Sequence, residues 1–109
     1  MIIGVGTDLV NMERLLPKQE DLAKKILTEN EYATYKTLST HRKIEFLGGH
    51  FAAKEALVKA MPADSLISDF EIYYKDNKPC VDIKGYKAHI SIAHDGMLAN
   101  AIAIIESRD

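Results

Sequence analysis

The chain has 109 residues, 47% of them hydrophobic and 28% charged, with a formal net charge of −2 at pH 7. That length suits one domain with a modest core, and the charge argues against a broad nucleic-acid-binding surface. The apolar runs are too short for a signal peptide or a membrane span, and the single cysteine, Cys80, has no partner within the chain, so a cytoplasmic protein with a structural thiol is expected.

In chain order, IIGVG opens as a β-branched strand whose parity puts Ile3, Val5, Thr7 and Leu9 on one face and Ile2, Gly4, Gly6 and Asp8 on the other. Asn11 to Leu16 reads as a short helix ended by Pro17, and Gln19 to Leu27 as a second helical stretch. Thr28 and Glu31 have capping-box spacing, which starts a further helix running towards Leu38. Ser39 and Thr40 mark a break, with Thr40 as the expected cap of a long helix that Pro62 stops. DFEIYY and PCVDIKG are strand-like around a DNKP turn, and HISIA and LANAIAII form a second pair through Asp95-Gly96. Ala99, Ala101 and Ala103 share a face of the last strand, leaving room for a helix. The expectation is a single α+β domain over 1–109, with an antiparallel sheet packed on a long helix.

That helix carries FAAKEALVKA, residues 51 to 60. Traced at about 100° per residue, Glu55 falls inside the stripe of Ile44, Leu47, Phe51 and Val58, with Lys59 at its edge. Asp8 follows the first strand on its glycine face, and His94 continues the Ile90–Ile92 face of a later one. The plainer alternative makes Glu55 and Lys59 a helix salt bridge and His94 a hydrogen-bonded core histidine. A surface salt bridge yields under about 1 kcal/mol, whereas a buried carboxylate costs several. A carboxylate tolerated there calls for a cation. Two carboxylates suit Mg²⁺, which takes one or two of them along with waters and phosphate oxygens. Residue types alone therefore lead to a Mg²⁺–phosphate site and stop there.

IIGVGTDLVNMERL, HFAAKEALVKA and HISIAHD occur in that order, with ILTENEYATY between the first two. Together they resemble the holo-[acyl-carrier-protein] synthases, the small trimeric group of 4′-phosphopantetheinyl transferases. The resemblance implies transfer of phosphopantetheine from coenzyme A to a serine of an apo acyl carrier protein, releasing adenosine 3′,5′-bisphosphate. It implies Asp8 and Glu55 as Mg²⁺ ligands and Asp8, Glu55 and Lys59 as the catalytic set. It places His50, Lys54, Lys59, Pro79 and His94 among the coenzyme A contacts. Arg14, Arg42 and Lys43 would meet the acidic carrier, and a homotrimer would build its sites between subunits.

Three departures from the family pattern bear on coenzyme A binding. His50 stands where the family commonly has Arg, and a half-charged imidazole clamps phosphate less well than a guanidinium. The segment after the long helix, MPADSLISD, is shortened and lacks glycine. The Asn-Gly-x-Pro turn becomes Asp76-Asn77-Lys78-Pro79, where Asn replaces Gly at positive φ. Two other classes follow from these changes: a catalytically impaired coenzyme A or carrier-protein binding module, and a structural trimer whose motif residues are ion pairs. Retention of Asp8, Glu55, Lys59 and His94 together speaks for the enzyme.

Overall fold

The computed structural model describes residues 1–108. Strand β1 (Ile2–Asn11) leads through two 3₁₀ turns, Met12–Arg14 and Leu16–Lys18, into helices α1 (Gln19–Ile26), α2 (Glu29–Lys36) and α3 (Thr40–Ala60). A further 3₁₀ turn, Ile67–Asp69, precedes β2 (Ile72–Lys75), β3 (Lys78–Val81), β4 (Tyr86–Asp95) and β5 (Leu98–Ser107). The strands form an antiparallel sheet of order β1-β5-β4 and a separate β2-β3 hairpin. The expected α+β architecture on a long helix is what the chain adopts. No helix among the described residues is long and apolar enough to cross a membrane.

Small residues on both sides decide how α3 meets the sheet. Opposite one another in register, Gly4 pairs with Ile105, Gly6 with Ala103, Asp8 with Ala101 and Val10 with Ala99, all on the helix-facing side. A Cβ on Gly4 would collide with the carbonyl of Ala60, and one on Gly6 with the carbonyl of Ala56. The strand backbone therefore rests directly on the helix backbone. Ala52, Ala56 and Ala60 of α3 complete this contact, buried together with Ala99, Ala101, Ala103 and Ile105.

The helix stripe is corrected by this packing. Phe51, Glu55 and Val58 are only half-buried, while the deepest face of α3 is built of alanine. Periodicity of large apolar residues overlooks a face of Gly and Ala, since their small side chains are what allow close approach. The far side of α3 is buried too, with Leu47 packed among Ala23, Ile26, Leu27 and Tyr35 of α1, α2 and their linker. A helix enclosed on both sides has no single apolar stripe to read.

Local signals mostly hold. Thr28 accepts from the Glu31 backbone while the Glu31 side chain accepts from the Thr28 backbone, completing the capping box. Pro17 lies inside the second 3₁₀ turn rather than ending a helix, as its fixed φ suits a first-turn position. Ser39, not Thr40, caps α3, and it does so without a side-chain hydrogen bond. At the hairpin tip Asp76 and Asn77 adopt φ 52° and 64°, so Asn does take over the left-handed position.

Candidate active site

Asp8 reaches the helix side of the sheet because it follows Gly6 by two residues, and the glycines bring β1 within reach of α3. Lys59 Nζ sits 3.2 Å from Asp8 Oδ1 and donates to the Thr7 carbonyl at 2.9 Å. The ion pair thus runs from helix to strand, not along α3 to Glu55 as the plainer sequence alternative had it. Asp8 and Glu55 border one open pocket of about 420 Å³, with Asn11, Arg14, Lys18 and Phe51 among its other walls. Two carboxylates on a solvent-reaching wall, with a cation already drawn to one of them, fit a Mg²⁺ that completes its shell with water and phosphate oxygens.

Basic residues surround that pocket unevenly. Arg14 and Lys18 both lie in its wall. Lys18 also borders an adjoining hollow of about 430 Å³ shared with Lys43. Lys43 is held over the Tyr35 ring, 5.5 Å from its centroid. Arg42 is exposed in the first turn of α3, outside these walls. Glu20 and Asp21 share that second hollow, Glu20 accepting from the hydroxyls of Tyr32 and Tyr35, while Glu31 is buried. Arg14 and Lys18 are thus the cations that stand directly beside the carboxylate pair.

His94 stands elsewhere in the chain. Its Nε2 donates to the Glu45 carbonyl at 2.9 Å, and Gly49 leaves room for the ring. Glu45 precedes Glu55 by ten residues, which is about 15 Å along a helix axis. His94 is therefore not in the wall that holds Asp8 and Glu55. Pro79 is half-buried in β3, opposite Tyr74, and is also outside that wall.

Two expected coenzyme A contacts are placed differently. Lys54 is fully buried, with Nζ 2.5 Å from Glu31 Oε1 and 2.8 Å from the Ile26 carbonyl. Glu31 Oε2 in turn accepts from the Ile72 backbone at 2.6 Å. This closed network ties α1, α2, α3 and β2 together and holds the Lys54 ammonium fully buried. His50 is 1% exposed, stacked on Phe46 with ring centroids 3.8 Å apart. Its Nδ1 donates to the Phe46 carbonyl at 2.7 Å, and burial pushes the imidazole down to about 4. A neutral ring folded into the core is no phosphate clamp. A motif fixes neither residue's rotamer, and it is the rotamer that turns both side chains inward.

Residues 4–97 match the model of the 4′-phosphopantetheinyl transferase superfamily. The chain belongs to this family. A holo-[acyl-carrier-protein] synthase of Oceanobacillus iheyensis is 39% identical over the whole of both chains, and one of a Geobacillus species is 43% identical over 97% of this chain and 98% of its own. Among solved structures, the holo-(acyl-carrier-protein) synthase of Bacillus anthracis, crystallised in complex with CoA (3′,5′-ADP), superposes with a TM-score of 0.91 at 34% identity over 98% of each chain.

Proposed function

We propose that the chain transfers 4′-phosphopantetheine from coenzyme A to a serine of an apo acyl carrier protein. The observation that carries this is the Asp8–Glu55 pocket, with Lys59 on Asp8 and Arg14 and Lys18 in its wall, in a chain similar along its length to holo-[acyl-carrier-protein] synthases. Asp8 and Glu55 would hold Mg²⁺, which when bound neutralises the charge that grows on the leaving phosphate. Lys59, tethered by the Thr7 carbonyl, stands ready to pair with a diphosphate oxygen and to supply a proton to the leaving group. Glu55 borders the same space and accepts the serine proton, directly or through water. Arg14, Arg42 and Lys43, joined by Lys18, steer an acidic carrier towards the pocket.

The site is shared between subunits of a trimer. Its sheet turns an apolar face outward: Val5 is 58% and Leu9 64% exposed, with Ile102 and Leu98 alongside. Such a face on so small a chain fits burial against copies of itself. His94, which lies outside the Asp8–Glu55 wall of its own chain, would then complete that pocket in a neighbouring subunit. The experiment is mass spectrometry of an apo carrier incubated with the protein, coenzyme A and Mg²⁺. A serine-linked phosphopantetheine adduct is expected. Coenzyme A binding with an unmodified carrier would instead favour the impaired binding module.

A further inference from the structure

The one ion pair at the carboxylate site is asymmetric. Lys59 lies four residues after Glu55 on the same helix, yet its ammonium crosses to Asp8 Oδ1 at 3.2 Å. Its second bond, to the Thr7 carbonyl at 2.9 Å, has a neutral partner beside the first. The Lys59 side chain is 53% exposed and that of Asp8 19%, so the cation can swing away towards solvent while the carboxylate stays in the sheet. We infer that Lys59 is a resident counter-ion of Asp8 that a divalent cation must displace, which makes metal entry and diphosphate entry mutually dependent. This rests on the metal-site reading above.

The physical basis is charge balance. Asp8 and Glu55 supply two negative charges, and Lys59 on Asp8 with Arg14 and Lys18 in the pocket wall supply three positive ones, so the carboxylates are balanced without a metal. A divalent ion taken up by the same Asp8 oxygens would face a unit positive charge within a few ångströms, and like charges at that distance repel. With Thr7 as a tether, the displaced ammonium stays beside the site, and with both carboxylates engaged by the metal its new partner is an anionic substrate. Without that substrate Lys59 competes with the metal for Asp8. With it, the ammonium turns to a phosphate oxygen and the competition ends. Coupling of this kind is reciprocal by linkage, so the metal raises coenzyme A affinity by the same factor as coenzyme A raises metal affinity.

The test is Mn²⁺ binding, measured calorimetrically or by the loss of free Mn²⁺ resonance signal, with and without coenzyme A. It uses wild type, Lys59→Met, Lys59→Arg and Asp8→Asn. Without coenzyme A, Lys59→Met should bind Mn²⁺ more tightly than wild type by about fivefold, the upper end for an exposed pair. Lys59→Arg, which restores a competing cation, should bind as wild type does. With coenzyme A present, the advantage of Lys59→Met should vanish. Equal or weaker Mn²⁺ binding by Lys59→Met in the absence of coenzyme A overturns the exchange while leaving the metal site standing. Mn²⁺ affinity that is unchanged in Asp8→Asn overturns both.

Discussion

Gly6 rests against the carbonyl of Ala56, backbone on backbone, two residues before Asp8 leaves the strand towards the same helix. This contact sets the gap between the Asp8-bearing strand and the helix that carries Glu55 and Lys59. A single methyl at Gly6 has nowhere to go, because its neighbour is main chain and not a side chain that can rotate away. Gly6→Ala should therefore destabilise the protein by at least about 1–3 kcal/mol, the range for overpacking. It should also weaken Mn²⁺ binding in the fraction that remains folded, since Asp8 is pushed off the helix. Chemical denaturation and metal titration of the variant check both effects.

Lys54 and Glu31 should behave as a structural pair. Removing one partner of a buried ion pair leaves the other charge uncompensated, a loss of about 3–5 kcal/mol. Lys54→Met is expected to lower the denaturation midpoint sharply, with the KM for coenzyme A of the folded enzyme near that of wild type. A raised KM at unchanged stability would put Lys54 back at the coenzyme A site.

His50 links stability to acidity. Its folded value of about 4 lies below the ordinary histidine value near 6.5, because burial disfavours the charged ring. Below 6.5 the unfolded chain takes up a proton that the folded chain refuses, so this contribution is full above that pH and is lost as pH falls towards 4. Between pH 7 and pH 5 wild type should lose roughly 2 kcal/mol more stability than His50→Phe, as judged by denaturant unfolding. Parallel pH profiles for the two proteins would mean that the imidazole takes up its proton equally in the folded and the unfolded chain.

The parts legible in the sequence were those set by short-range rules. The Thr28–Glu31 box, the Asp76-Asn77 turn and the alanine face of β5 each follow from spacings of a few residues, and each is present. Asp8 and Glu55 do border one pocket, although the phase argument for Glu55 fails, since it is half-buried beside an alanine face and not set in an apolar stripe. What was not legible depends on contacts between distant segments. Glu31 reads as a capping residue, and nothing near it in sequence tells that Lys54, 23 residues on, will bury against it. Lys59 reads as an i+4 partner of Glu55, but the glycines of β1 bring Asp8 close enough to take it. His50 reads as surface because the family has Arg there, whereas an imidazole is short enough to fold back on Phe46.

The proposal that sites are shared between subunits makes a numerical prediction. Glu55→Ala and His94→Ala should each form a nearly inactive trimer. When the two are unfolded, mixed equally and refolded, a site is whole only if its carboxylates come from one variant and its histidine from the other. Random assembly gives that arrangement in about a quarter of sites, so activity should return to about a quarter of wild type. Proven mixed trimers without recovery would place Glu55 and His94 in the same subunit's site.

The most direct measurement follows apo carrier protein by intact mass over time, with coenzyme A and Mg²⁺, using wild type and Glu55→Gln side by side. Wild type should convert the carrier fully to its phosphopantetheinylated form, and excess chelator should stop the conversion. Glu55→Gln keeps the shape of the side chain but not its charge, and should be slower by roughly 10²-fold or more. An unmodified carrier with wild type, or equal conversion by Glu55→Gln, would contradict phosphopantetheine transfer at the Asp8–Glu55 pocket.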